Sequence, residues 1–396
     1  MLLEGIRVLD FGRYIAGPFC AALMADMGAE VIRIERVDGG EDRYVAPVAP
    51  DGSGGIFMTA NRNKKGMTLN PIKPEGREIV RKLVASADMV VANMPLSALK
   101  TMGIDYDSLK VIKEDIILVM ASAFGAEGPY ADKVGFDTVA QAMSGAMHLS
   151  GFDGQPTRDI VLFEDYGTSL FAAFGAMCAL FDKQRSGKGQ CVDTSLLATS
   201  INFMNNLLIE HQVTGKVRQQ QGNRSYYAAP ADTYKTRDGW IVLSVVGNPV
   251  FKRWAGLVNR PDLLEHPDLQ DDEGRAENVH ILDEVMVPWC RQRSCKVALE
   301  ALEQARISCG EIYDLPAVMD DPQVKSQQLL KKVHYADASQ AIPIPIPIAD
   351  TPVRLSRTPG SIRTAPPTLG QDTDDILLAL GYDEATIETL REKRVI

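Results

Sequence analysis

IRVLDFGRYIAGPFCAALMADMGAEVIRIE, residues 6–35, is the stretch that decides the fold. Residues 6–11, IRVLDF, are a short apolar run of the kind that forms a buried strand. Gly12 to Pro18 interrupt it as a loop. Residues 18–27 have a helical pattern that stops at Gly28, a residue able to take the left-handed backbone that closes a helix. EVIRIE, 30–35, is the next strand. A strand–helix–strand unit implies a parallel sheet with a right-handed crossover. The pattern then continues, with a helix at 74–86, a strand at 88–92, helices at 96–102 and 106–112, and the strand ILVMAS at 117–122. The fold class expected is α/β, with a Rossmann-like large domain built on a parallel sheet.

A sheet of this kind raises the question of a dinucleotide. Glu35 ends the second strand near where a ribose-binding acid would stand. The first loop, however, reads GRYIAGP rather than GxGxxG. It lacks the glycines that give the tight turn and the close approach to a pyrophosphate, so NAD or FAD is not expected.

Farther along, CVDTS at 191–195 reads as a strand leading into a helix to about residue 213. The polar segment 214–225 reads as a linker or surface loop. Residues 226–330 carry strand signals at 232–236 and 239–245 followed by helices, which suggests a smaller inserted α+β domain. From 331 to 396 the chain is a proline-rich strap and a helical tail. The strap contains IPIPIPI at 342–348, and proline removes donors and fixes φ, so an extended course is expected. Helices at 373–380 and 384–392 follow, separated by Gly381. The spacing of Ile376, Leu377, Leu380, Ile387 and Leu390 predicts that they dock back on the large domain, residues 1–213.

The chain has 396 residues, 45% hydrophobic and 24% charged, which suits a soluble globular protein of two or three domains. A net charge of −10 argues against nonspecific nucleic-acid binding, which relies on a basic surface. No uninterrupted apolar run is long enough to span a membrane. The opening MLLEGIRVLDFGRYIAGP lacks the layout of a signal peptide, so a cytoplasmic location is expected. The six cysteines form no CxxC pair, and Cys20, Cys178 and Cys191 sit among apolar neighbours as expected core residues. The five histidines show no ligand spacing. Chemistry without a metal and without a histidine base is therefore expected.

Asp165 is the leading candidate for such chemistry. It lies in VLFEDYGTSLFAAFGAMCALFDKQRSGKGQCVD, residues 161–193, where Glu164 and Asp165 open an apolar helix of roughly five turns. An aspartate there commonly caps the helix by accepting hydrogen bonds from its free amides. The same amides would keep a carboxylate ionised and could stabilise an oxyanion when it attacks a carbonyl. Local sequence leaves both roles open, with the cap the commoner. Glu164, its neighbour, is read as structural.

Several segments in order resemble one family, the class III CoA-transferases, also called the CaiB/BaiF family. They are the opening stretch through GGEDR at 39–43, NRNKKGMTLN at 61–70, AFGAEGPYAD at 123–132, GFDTVAQAMSG at 135–145, RSGKGQCVDTSLL after the long helix, and PPTLGQDTDDILLALGYDEATI near the end. The resemblance covers almost the whole chain. It implies that Asp165 is a covalent nucleophile that moves CoA from an acyl-CoA donor to a carboxylate acceptor, with Gln141 as a polar group of the site. It implies no tightly bound cofactor, a CoA thioester as substrate, and an interlocked homodimer. Arg36 and Lys64 match the family's basic residues near the nucleotide, and Arg13, Arg62 and Lys65 lie in the same segments. Asn93 and Met94 match an Asn-Phe pair along the path of the adenine or pantetheine.

The chain departs from the pattern after Asn93, where many members read F-R-P-G and this one reads Met94, Pro95, Leu96 and Ser97. Thr101 replaces a common arginine, with Lys100 beside it as the replacement cation. Val245, Val246, Gly247, Asn248 and Pro249 stand where the formyl-CoA branch has a glycine-rich loop, which is closer to the carnitine-type branch. Related racemases of 2-methylacyl-CoA use a histidine where this chain has Phe136; without that imidazole, α-proton exchange loses one base. A non-catalytic CoA-binding protein is the other alternative. Arg224, Tyr226 and Tyr227 are expected to face the acid.

Overall fold

A computed structural model describes residues 1–152, 154–335, 342 and 344–396. The expected chain positions 336–341 and 343 of the strap lie outside the described residues. The chain divides into two compact units: Met1–Leu149 with Thr157–Arg218 and Ser326–Ile396, and Ser150–Pro156 with Gln219–Lys325.

The first unit is built on β1 (Arg7–Asp10), α1 (Ala16–Asp26), β2 (Glu30–Glu35), β3 (Lys65–Thr68), α2 (Pro74–Ala85), β4 (Met89–Ala92), β5 (Ile117–Ser122), α3 (Asp137–Ser144), α4 (Phe163–Ser186), β6 (Cys191–Ser195) and α5 (Leu196–Thr214). Six strands form one sheet in the order β3-β2-β1-β4-β5-β6, parallel throughout. Their side chains alternate between two cores, as a pleated strand buried on both faces requires. Leu9, Ile32, Val90, Leu118 and Met120 point into one core. Val8, Val31, Val91, Ile117 and Val119 point into the other, with Cys20, Ala21 and Ala25 of α1 and Ala172, Ala176 and Ala179 of α4. Alanines at this contact allow α1 and α4 to approach closely, since interaxial distance is set by the side chains between helices.

The second unit has a three-stranded antiparallel sheet of β7 (Ala231–Lys235), β8 (Trp240–Ser244) and β9 (Ser308–Glu311), with β8 central. Helices Asn248–Leu257, Val279–Arg291 and Cys295–Gln304 supply Phe251, Trp254, Leu282, Met286 and Leu302 to its core.

Back in the first unit, β10 (Leu330–Val333) pairs antiparallel with β11 (Ile346–Ala349). The strap is extended rather than helical across 344–370. The chain closes with α6 (Thr373–Ala379) and α7 (Glu384–Glu392). Ile376, Leu377, Ile387 and Leu390 lie in the same core as Leu9 and Ile34.

Three expectations need correction. β3 falls within NRNKKGMTLN, where no strand is predicted; KGMT is too short and too polar at its start to stand out from its loop. The helix that carries Asp165 is longer than five turns, at 24 residues. Cys20 is buried as expected, but Cys178 and Cys191 are exposed; their apolar neighbours Phe174 and Phe181 are exposed too. None of the described helices is long and apolar enough to cross a membrane.

Candidate active site

The β1–α1 loop forms one wall of the site. Gly12 N donates to Asp10 Oδ1 (2.8 Å), and Arg33 Nη1 donates to the Gly12 carbonyl. A Cβ at Gly12 would lie 2.6 Å from Pro18 Cδ, so the loop closes on itself only with glycine there. Asn93, just beyond β4, grips the loop from the other side: its Oδ1 accepts from Arg13 N (2.6 Å) and its Nδ2 donates to Arg13 O (2.6 Å). Tyr14 is thereby held at φ 57, in the left-handed region that non-glycine residues rarely adopt. Its ring meets Phe136 edge to face at 5.3 Å.

Asp165 stands at the third position of α4, after Leu162, Phe163 and Glu164. The amides that open a helix have no intrahelical partner of their own, and those of Phe163, Glu164 and Asp165 are taken here. Phe163 N donates to Val161 O (2.9 Å), and the first bond of the helix itself runs from Tyr166 N to Leu162 O (3.0 Å). Glu164 N (3.0 Å) and Asp165 N (3.1 Å) both donate to Asp137 Oδ2, at the start of α3. Asp137, not Asp165, is the cap. The expectation that these amides keep Asp165 ionised, or serve it as an oxyanion hole, is therefore wrong, because Asp137 occupies them.

The Asp165 carboxylate receives no hydrogen bond from any described residue. It is 8% exposed. Burial, reinforced by the neighbouring charges of Asp137 and Glu164, pushes it up to about 7. Glu164 is raised as well, by burial first and by Asp137. Its Oε1 accepts from Ser200 Oγ (2.8 Å) on α5, whereas its Oε2 is buried without a partner. Gly167 lets α5 come this near: a Cβ there would lie 2.7 Å from the Phe203 ring.

Gln141 is buried rather than exposed on its helix. It does not line the cavity. Its Nε2 donates to Asp137 Oδ1 (2.6 Å), and its Oε1 accepts from Asp159 N (3.0 Å). Its side chain therefore meets Asp137 and not the Asp165 carboxylate.

Asp165 opens into a cavity of about 190 Å³ lined also by Arg13, Tyr14, Asn93, Met94, Lys133 and Phe136. A second cavity, about 540 Å³, is lined by Arg13, Arg36, Lys73, Met94, Met102 and Arg394 among others. Arg13 and Met94 are common to both. Arg13 Nη1 is buried without a hydrogen-bond partner, its nearest counter-charge being Asp42 Oδ1 at 3.8 Å.

The remaining predicted residues are dispersed. Arg36 is exposed, paired with Asp38 (3.1 Å) and Glu41 (2.8 Å). Lys64 is fully enclosed and donates to Asp10 Oδ2 (2.7 Å), Pro18 O (2.7 Å) and Asn61 Oδ1 (2.9 Å), so it presents no free donor to a phosphate. Arg62 is buried against Asp26 at 2.7 Å, and Lys65 pairs with Glu30 at 2.7 Å. Lys100 is exposed on the helix Leu96–Met102 and lines neither cavity. Glu35, the candidate ribose acid, is buried against Arg43 at 2.5 Å. Arg224 belongs to the second unit, where Asp283 (2.8 Å) and Asp232 (3.4 Å) engage it. Tyr226 donates there to Gln219 O (2.8 Å). No cluster of metal-ligating side chains occurs among the described residues.

Lys133 and Asp137 went unnoticed as site residues in the sequence. Both lie in or beside segments that carry the family resemblance, so motif membership was the available signal.

Comparison with known proteins gives a family and full-length relatives. The model of the family described as CoA-transferase family III matches residues 3–373. The chain is 33% identical to a succinyl-CoA–D-citramalate CoA-transferase of Chloroflexus aurantiacus, over 100% of this chain and 98% of that protein. It is 32% identical to a succinyl-CoA:glutarate CoA-transferase of Mus musculus, over 98% of this chain and 88% of that one. Among solved structures, a CaiB/BaiF family protein from Brucella suis superposes with a TM-score of 0.83 at 29% identity, covering 96% of this chain and 99% of that one.

Proposed function

The chain belongs to CoA-transferase family III and is a CoA-transferase, and on that premise we propose that it works through a covalent intermediate on Asp165. The observation that carries this is a buried carboxylate with no hydrogen-bond partner, facing a cavity. Such a group is a poorly solvated and therefore reactive nucleophile. It attacks the donor thioester carbonyl; the C–S bond breaks, leaving a mixed anhydride and CoA thiolate. The thiolate attacks the aspartyl carbonyl, releasing the donor acid and forming an aspartyl–CoA thioester. The acceptor carboxylate attacks that thioester, giving a new anhydride and freeing the thiolate. The thiolate then captures the acceptor acyl group and restores Asp165. Each step exchanges one activated acyl group for another, and no net proton moves.

Oxyanion stabilisation falls to the start of α1, which no side chain caps and whose Ala16 lines the same cavity. The larger cavity suits the nucleotide end of CoA, with Arg36 at its rim and the unpartnered Arg13 nitrogen beside it for a phosphate. Arg13 and Met94, which line both cavities, mark the passage between them, with Asn93 on the side of the smaller one. Lys100, exposed on the helix Leu96–Met102, lies outside the lining of both cavities and is left without a phosphate to bind there. The donors and acceptors named in the relatives, succinyl-CoA with citramalate or glutarate, support a small dicarboxylic acid here. Lys133 supplies a cation to the smaller cavity for its second carboxylate.

The homodimer is supported by exposed apolar side chains along α4 and α5, including Phe174 at 70%, Phe181 at 62% and Val213 at 77% exposure. A monomeric mass by light scattering would sink it. For the chemistry, acyl-CoA donors are mixed with a panel of carboxylates and followed by mass spectrometry, trapping the enzyme in the same run. A CoA adduct on Asp165 is expected; turnover with the adduct on another residue refutes the reading. A racemase reading has little support, because Phe136 stands where a second base is needed.

A further inference from the structure

We propose that Asp137 is a positioning residue for the nucleophile: its carboxylate takes the two amides at the head of α4 and so leaves the Asp165 carboxylate without a donor. This rests on Asp165 being the nucleophile. A carboxylate at the third position of a helix ordinarily finds a backbone amide at its own end, satisfying itself and the helix together. Here the amides of Phe163, Glu164 and Asp165 are already taken. Glu164 N and Asp165 N are bound to Asp137 Oδ2, and the flanking amides of Phe163 and Tyr166 are bound to carbonyls. Asp137 cannot swing away, because Gln141 Nε2 holds its Oδ1 and Asp159 N holds Gln141 in turn.

The groups facing Asp165 divide by sign. Glu164 and Tyr166 lie on its own helix, and Asp137 comes from α3. Arg13 and Tyr14 come from the β1–α1 loop and Lys133 from the loop before α3, all three lining the cavity. Asn93 and Ser122 are neutral members of the lining. Asp137 therefore acts twice. It denies Asp165 the hydrogen bonds that would blunt its attack, and it places a negative charge behind it. Glu164, whose Oε2 is buried without a partner, stands beside Asp137 on the same side of Asp165 and supplies no hydrogen-bond donor to it either.

The test is the pH dependence of kcat/KM for CoA transfer in the wild type and in Asp137→Asn, with the Asp165–CoA adduct quantified in both. Asp137→Asn keeps an acceptor for the amides and removes the charge. The acid limb is expected to move down by about one pH unit. The plateau of kcat should fall about tenfold or more as the loosened amides turn to Asp165, with KM for the acyl-CoA nearly unchanged. Asp137→Ser, a neutral capping residue, repeats the test if the asparagine variant does not fold. Carbon NMR of labelled aspartate reads the same property in the unmodified enzyme, where the Asp165 carboxyl is expected to titrate well above the ordinary aspartate range. An acid limb that stays in place, or an ordinary Asp165 titration, overturns the role of Asp137. Absence of any Asp165–CoA adduct in the wild type instead overturns the nucleophile itself.

Discussion

The first unit buries two sets of carboxylates, and they are treated in opposite ways. Beneath β1 and β2, each acid has a cation. Asp10 meets Lys64 at 2.7 Å, Asp42 meets Arg33 at 2.5 Å, and Glu35 meets Arg43 at 2.5 Å, all with side chains no more than 1% exposed. At the head of α4, Asp137, Glu164 and Asp165 are buried together with no cation bonded to any of them among the described residues. Burial alone would push Asp10 up, but Lys64 and Arg33 outweigh it and hold its carboxyl below the usual range. At Asp165 nothing opposes burial, and the carboxyl rises to about 7. A paired buried charge braces a loop. An unpaired one is costly, and its cost is tolerated where reactivity is needed.

The largest way to break this comparison is Asp165→Ala. CoA exchange should fall by about a thousandfold or more, with the adduct lost and the fold kept. Exchange at the wild-type rate would show that the unpaired set does no chemistry.

Lys64→Met attacks the paired set. It leaves Asp10 buried beside Arg33 alone, and unfolding should be easier by about 3 kcal/mol, as when one partner of a buried pair is removed. Unchanged stability with a raised KM for acyl-CoA would instead make Lys64 a phosphate ligand.

A third test uses pH. A carboxyl raised in the folded state contributes stability that is fully present below its ordinary value near 3.8 and is lost as pH rises through about 7. Asp165→Asn cannot lose it. The variant should therefore gain on the wild type as pH climbs across that window, reaching roughly 1–3 kcal/mol above it. A difference that stays flat with pH would mean that Asp165 is not perturbed.

The smallest effect is expected at Glu164→Gln. An amide keeps the size of the side chain and can still accept from Ser200, and Asp137 remains behind Asp165, so transfer should stay within about threefold of wild type. A loss as large as that of Asp165→Ala would make Glu164 a second reacting group.

Much of the scaffold was legible because apolar runs are a local signal. The boundaries of EVIRIE, ILVMAS and CVDTS coincide with β2, β5 and β6. β3 was not legible, because KGMT becomes a strand only through the register that sets Ile32 against Lys65. Asp165 could be singled out from the carboxylate pair opening an apolar helix together with the ordered motifs. The roles of Lys64 and Gln141 could not be read in that way. The partner of Lys64 lies 54 residues away, and only the packed loop shows that its charge is already used. Gln141 reads as a polar helix residue until its contact with Asp137 is seen.

By itself the sequence determined the kind of fold, the family and the one carboxylate worth watching. Those follow from hydrophobic periodicity and ordered motifs, which are properties of neighbours along the chain. Only the tertiary structure decided the state of that carboxylate. Asp137 lies 28 residues before Asp165, and its hold on the amides of α4 exists only once α3 and α4 are packed together. Hydrogen bonding and desolvation depend on which groups meet in space, and those two effects separate a helix cap from a nucleophile.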